Sequence, residues 1–303
     1  MSNQVVGAFT RRDLAIVLVV VMIWALNYVA LKFGLRVFTP LQLGMLRFVF
    51  SSIPLIFLVP VPKIDFKWVV FYGLLQGIVQ FGFLILALKV GMTAALAPVV
   101  MQMQIFVTAL LGVLILGEKL NRTLINGLVV AGIGLLCLGA SALASSDVRS
   151  VTISGILLAL LGACGWAGSN IVVRKLYSTG VQYSPISLVT WAGVVTSIGF
   201  ALLSLIFDPL DAWNWSHVPL YIWAWVVYLG WIGNALSFGL WALLLGRYAA
   251  NRVAPYSLGT PAMGMLAGIL ILGETVTLWQ LIGGGLVMLA FLFVVLNNRA
   301  QSR

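Results

Sequence analysis

Long apolar runs dominate the chain, and they recur with little between them. Ten are long enough to cross a membrane: residues 14–33, 41–59, 68–88, 93–116, 123–143, 153–173, 186–206, 220–243, 253–272 and 278–296. A spanning helix needs about 20 mostly apolar residues, so each run predicts a helix. The breaks between them carry turn punctuation: Thr39-Pro40, Pro60-Val61-Pro62, Ser184-Pro185 and Asp208-Pro209. Arg11-Arg12 precede the first run, as in a secretory or twin-arginine signal. No small-residue cleavage site follows, and Trp24, Asn27 and Tyr28 stand where a signal should end, so a retained first helix is expected.

Composition sharpens this picture. Of 303 residues, 62% are hydrophobic and 8% charged, against about 45–50% and about 25% in soluble domains. A water-soluble fold is excluded. Ten spans leave only short loops, with no room for a separate nucleotide-binding or catalytic domain.

The net charge of +10 does not indicate a nucleic-acid partner. The basic residues are scattered one or two at a time, not gathered into a patch or stripe. They instead orient the spans. With the N-terminus in the cytoplasm, Arg11, Arg12, Lys63, Lys67, Lys119, Arg122, Arg174, Lys175, Arg247, Arg252, Arg299 and Arg303 fall inside, and only Lys32, Arg36, Lys89 and Arg149 fall outside. Twelve against four sets both termini in the cytoplasm by the positive-inside rule. Cys137 and Cys164 lie in apolar runs and read as packing residues, and one histidine, His217, builds no metal site. No metal or cofactor is expected.

The two halves resemble each other. Trp24…Asn27 in the first span answers Trp166…Asn170 in the sixth, and Thr39-Pro40 answers Ser184-Pro185. Phe81-Gly82 answers Phe238-Gly239, and residues 114–118 (LILGE) recur letter for letter at 270–274. Five spans per repeat is odd, so the repeats must insert in opposite directions. Inverted repeats are the architecture of many secondary transporters, with the substrate near the midplane between them. The expected fold is an all-α membrane protein of ten transmembrane helices, in two inverted repeats of five, 1–147 and 148–303.

These residues carry a resemblance to a known family. Trp24-x-x-Asn27, Leu46-Arg47-Phe48, Ala97-Pro98, Ala254-Pro255 and the doubled Leu-Gly-Glu resemble the EamA branch of the drug/metabolite transporter superfamily. Gln80-Phe81, Gln102-Met103-Gln104, Trp166 with Asn170, and residues 244–248 and 252–255 are most similar to that branch's bacterial amino-acid exporters. The resemblance covers nearly the whole chain. It implies a cell inner-membrane exporter of amino acids and related metabolites, such as cysteine precursors.

Polar groups in hydrocarbon should face the protein interior or a wet cavity. Gln76 and Gln80, four apart, share one helix face, as do Gln102 and Phe106, with Gln104 beside them. Asn27, Asn170 and Asn234 lie inside spans, accompanied by Trp24, Trp166, Phe238, Trp241 and Tyr256. Amides and indoles without carboxylates suit a small zwitterion. Amide oxygens accept from its ammonium, N–H groups donate to its carboxylate, and rings attract the cation. The alternative is that the amides bond helix to helix. Asn27 and Asn170 are expected at the repeat interface, Gln80 and Gln102 in the cavity.

Gating candidates form a second set. Pro98 and Pro255 sit early in the fourth and ninth spans, where a proline loosens a turn and a helix N-terminus suits a carboxylate. A simple first-turn proline is the alternative. Arg47 is the one charge well inside a span. It either draws substrate anions and locks a gate, or snorkels to the interface. Glu118 and Glu274 close the fourth and ninth spans, as gate locks (Glu118 with Lys119 or Arg122) or as solvated loop acids. No Asp or Glu lies mid-membrane, where proton-coupled carriers usually place one, so transport down the substrate gradient is expected.

The rival reading is a broad carrier for drugs or nucleosides. An enzyme is disfavoured because the spans hold no paired carboxylates, Ser/His couple or metal set. The expected partners are a small-molecule substrate and the lipid bilayer, and the expected state is a monomer.

Overall fold

Threonine caps start three of the helices. Thr10 and Thr152 each accept the backbone N–H three residues on, at 3.1 and 3.0 Å. Thr39 does so with Gln42 at 3.1 Å while the Gln42 side chain returns to the Thr39 N–H at 3.4 Å. Pro40 then fills the first helical position, where its missing N–H costs nothing. The computed structural model describes residues 10–118, 122–144, 151–248 and 253–301.

Ten helices follow in chain order: α1 (Arg11–Gly34), α2 (Pro40–Leu58), α3 (Phe66–Lys89), α4 (Ala97–Leu116), α5 (Arg122–Ala144), α6 (Ile153–Ser178), α7 (Pro185–Phe207), α8 (220–247), α9 (Gly259–Leu272) and α10 (Leu278–Gln301). The first eight contain stretches long and apolar enough to span a membrane, and two shorter apolar stretches lie in the ninth and tenth. Among the described residues all regular structure is helical.

Helix contacts display the duplication. α1 packs on α9 and α8, and its counterpart α6 packs on α4 and α3. α2 touches the centre of α8 as α7 touches the centre of α3. α2–α7 and α5–α10 pair directly. Exchanging the two halves maps these contacts onto one another. Because each half crosses five times, the repeats run in opposite directions.

Several spans are interrupted where the apolar runs predict continuous helices. α2 stops at Ser52 and resumes at Leu55, because Pro54 has no N–H to give and pushes Ile53 out of the helical region. α4 is preceded by a turn at 93–96, capped by Thr93 Oγ1 on the Leu96 N–H at 3.2 Å. It tightens at Gln102 and Met103, whose N–H groups bond three residues back. Its counterpart α9 opens with a 3₁₀ turn, Ala254–Leu258.

α3 and α8 share another irregularity: wide π turns over Gly73–Gly82 and Tyr228–Leu236. Glycines allow neighbours to meet these turns. A Cβ on Gly77 would stand 2.1 Å from Thr196 Oγ1 on α7, and one on Gly233 would stand 2.2 Å from Asn27 Oδ1 on α1. Thr196 Oγ1 donates to the Gly73 carbonyl at 2.9 Å, so α7 satisfies part of the widened helix.

Candidate functional site

A cavity of about 280 Å³ lies between α1, α3, α4, α6, α8 and α9, where the repeats meet. The widened turn of α3 contributes Gln76, Gln80 and Phe81. α1 contributes Trp24, Asn27 and Tyr28, α4 contributes Pro98, Gln102 and Gln104, and α6 contributes Trp166. Phe238 and Trp241 come from α8, Thr260 from α9, and Ser257 from the turn before it. Among the described residues the lining holds no carboxylate and no basic side chain.

Its polar groups are held in set orientations. The Trp24 indole N–H donates to Ser237 Oγ at 2.9 Å, and its ring lies 5.0 Å from Trp241 and 5.8 Å from Phe238. Ser169 donates to Gln76 Oε1 at 2.5 Å, which leaves that side chain's N–H₂ as the available donor. Asn27 donates to the Gly233 carbonyl at 3.3 Å. Gln80 is 4% exposed, and its Oε1 finds no protein partner among the described residues. Thr260 Oγ1 is in the same condition. Buried oxygens of this kind are costly unless something bonds them, so the cavity offers acceptors to a solute's donors.

Eight of the eleven expected substrate-binding residues line this cavity: Trp24, Asn27, Gln76, Gln80, Gln102, Trp166, Phe238 and Trp241. Three lie elsewhere. Asn170 sits one step behind the wall, donating to Gln104 Oε1 at 3.0 Å and Thr108 Oγ1 at 3.2 Å. Asn234 is buried, donates to Ser51 Oγ, and borders a small adjoining void with Gln76 and Thr196. Tyr256 packs with Val17, Leu244, Tyr248 and Val253, toward the end that carries the termini. Thr260 was not anticipated, although a signal existed. It stands 156 residues after Gln104, the spacing that separates Glu118 from Glu274.

The repeated LILGE segment has one geometry in both repeats. Gly117 and Gly273 take left-handed φ values of 70° and 66° and end their helices. The following glutamates turn back over Gly112 and Gly268, whose carbonyls accept the glutamate N–H at 3.2 Å in each case. Their carboxylates then differ. Glu118 pairs with Arg174 of α6 rather than with Arg122, because the close α4–α6 packing brings that arginine over Gly112. Lys119 lies outside the described residues. Glu274 makes no salt bridge among the described residues and accepts the backbone N–H groups of Ala94 and Ala95, both at 2.8 Å.

Pro98 lines the cavity and packs against α9, where a Cβ on Gly264 would be 2.7 Å from its ring. Pro255 lies within the 3₁₀ turn that opens α9. Arg47 does not snorkel. It is 1% exposed, donates to Asn27 Oδ1 at 3.4 Å, and lies 4.1 Å over the Phe81 ring.

Polar links at the two ends of the bundle follow different rules. At the end away from the termini they join α1 and α9 to α3 and α4: Glu274 to Ala94 and Ala95, and Lys32 Nζ to the Leu88 carbonyl at 3.1 Å. At the terminal end the described side-chain links of these helices stay within the group of α1, α8 and α9 or within the group of α3, α4 and α6. Arg247 and Tyr248 of α8 bond Asp13 of α1 at 2.7 and 2.8 Å, and Arg174 of α6 bonds Glu118 of α4.

Residues 12–140 match the EamA-like transporter family, and residues 153–296 match it again. The chain is 36% identical over 294 residues to a probable amino-acid metabolite efflux pump of Salmonella typhimurium, covering 96% of this chain and 97% of that one. It is also 36% identical over 281 residues to the protein of the same description in Escherichia coli, covering 92% and 93%. Similarity to the threonine/homoserine exporter RhtA of Escherichia coli is 28% over 165 residues, about half of each chain. One solved crystal structure, 20% identical, shares the fold with a TM-score of 0.63 over 97% of this chain and all of that one. Both halves match nearly end to end, and the chain belongs to the EamA-like transporter family, as a multi-pass membrane transporter.

Proposed function

We propose that this transporter exports amino acids and related small metabolites across the cytoplasmic membrane, down their gradient, by alternating access. The observation that carries this reading is the chemistry of the cavity: amides, indoles and hydroxyls at mid-span, with no carboxylate among them. Its volume of about 280 Å³ is at the lower edge of small-molecule sites, about 300–1,000 Å³. That favours a metabolite over a bulky drug. The named activities of the Salmonella typhimurium and Escherichia coli relatives agree with it.

The mechanism rocks the group of α1, α8 and α9 against the group of α3, α4 and α6, each drawn from both repeats (1–147 and 148–303). With both termini in the cytoplasm, the end bound by Glu274 and Lys32 is the outer one. Its cross-group bonds support a state closed outside and open inside, ready to receive cytoplasmic solute. Rocking releases Glu274 from Ala94 and Ala95. By the symmetry of the repeats, Glu118 then leaves Arg174 for the turn leading into α9. Pro98 and the 3₁₀ turn holding Pro255 supply the compliant points. The cavity is complete within one chain, which supports a working monomer.

Counterflow tests this reading. Proteoliposomes holding only this protein are preloaded with unlabelled amino acids, and uptake of labelled threonine or methionine is followed with and without a pH gradient. Saturable exchange indifferent to the gradient is expected. Six aromatic side chains in the lining (Trp24, Tyr28, Phe81, Trp166, Phe238 and Trp241) favour a second reading, efflux of drugs or nucleosides. No exchange with any amino acid would make that reading the leading one.

A further inference from the structure

Among the described residues Arg47 is a charge without a counter-charge. Its side chain is 1% exposed in the middle of the bundle. Among the described residues no carboxylate lies within salt-bridge distance, and Nε has no hydrogen-bond partner. It makes one long bond to Asn27 Oδ1 and lies over the face of Phe81. A guanidinium does not give up its proton in a protein. The charge therefore persists in a setting where an isolated ion is very costly. Buried arginines are ordinarily paired with an acid, and here the cation instead meets Asn27 and Phe81, which both line the cavity.

We propose that Arg47 is the specificity determinant for charge: its carboxylate partner is supplied by the transported solute, which must therefore be a zwitterion or an anion. Organic cations that lack a carboxylate are rejected. The inference rests on the amino-acid reading and deepens it by naming the group recognised. Asn27 and Phe81 transmit the field without touching it away. Asn27 turns its oxygen to Arg47 and its N–H₂ toward the Gly233 carbonyl at the cavity edge, and the ring of Phe81 is a thin apolar spacer. At roughly 8 Å, one ring thickness beyond the observed contact, two unit charges at an effective dielectric near 20 attract by the equivalent of roughly 30-fold in affinity. This exceeds what a single neutral amide in the wall can supply.

The test compares three solutes with one side chain: threonine, its N-acetyl derivative (carboxylate only) and its methyl ester (ammonium only). Each competes against labelled threonine in counterflow, and each is also scored by thermal stabilisation of the solubilised protein, which needs no turnover. In the wild type the acid-bearing pair should compete at least ~30-fold better than the ester. R47K should keep that gap. R47Q should shrink it to within a few-fold. N27D leaves the arginine in place but puts a carboxylate against it, so it should also shrink the gap and keeps the test alive if R47Q does not fold. A gap unchanged in R47Q or N27D, with all solutes weakened alike, would overturn the proposal and leave Arg47 a structural residue. Absence of exchange with any amino acid in the wild type would sink the amino-acid reading instead, and stabilisation by acid against ester would still decide the role of Arg47.

Discussion

Glu274 holds Ala95: its Oε2 accepts that residue's backbone N–H at 2.8 Å, while Oε1 accepts the N–H of Ala94 at the same distance. The end of α9 is thereby clasped to the turn that leads into α4, across the two repeats. Bonds to a charged acceptor contribute about 1.5–3 kcal/mol each. E274Q loses the charge and one acceptor, so it should shift the open–closed balance at this end by roughly tenfold or more. In a background lacking Cys137 and Cys164, a cysteine placed at Thr260 reports this. Its labelling by an impermeant thiol reagent from outside should rise in E274Q and stay low in E118Q.

Gly77 is a packing requirement, not a hinge. A Cβ there would meet Thr196 Oγ1 at 2.1 Å and Cγ2 at 2.2 Å. G77A should cost about 1–3 kcal/mol by overpacking, read as a lower melting temperature in detergent. The double variant G77A/T196A should recover part of that loss, although it forfeits the Thr196 bond to the Gly73 carbonyl.

Gln80 separates binding from stability. Its Oε1 is buried without a protein partner, so replacing the side chain with leucine removes a group that costs about 1–3 kcal/mol when left unbonded. Q80L should melt no lower than wild type, and higher if relaxation is small. It should still raise the KM for exchange at least tenfold. A variant that loses both stability and transport would mark Gln80 as a packing residue.

Transport should be flat between pH 6 and 8. Among the described residues every carboxylate lies near a helix end or in a loop, so no proton site interrupts the pathway. Asp65, in the loop before α3, is held below its ordinary value by the hydrogen bond from Lys67. What it adds is fully present above the ordinary carboxylate range and is lost only as pH falls below it. Exchange measured at equal pH on both sides checks this, and a change above about threefold would contradict it.

Particular residues show what a sequence can and cannot reveal. The ten spans and the duplication were legible, because apolar runs and a repeated pentapeptide are local facts. The meaning of that pentapeptide was only half legible. Leu-Gly-Glu predicts a helix end, but the partner of each glutamate depends on which helix packs beside it. Nearby Arg122 looked eligible, and Arg174, 56 positions away, is the residue that arrives. The π turns of α3 and α8 leave no mark in the apolar pattern, yet they set where Gln76 and Gln80 point. Asn170 and Asn234 share the chemistry of Asn27, and only packing separates the one that lines the cavity from the two that bond behind it.

The most direct test of the account is counterflow of labelled threonine in vesicles carrying wild type, Q80L, Q102L, or L136A as a lipid-facing control. The account predicts saturable exchange in wild type and control, and a KM at least tenfold higher in both glutamine variants. Equal exchange in all four would contradict it, because solute would then cross somewhere other than this cavity.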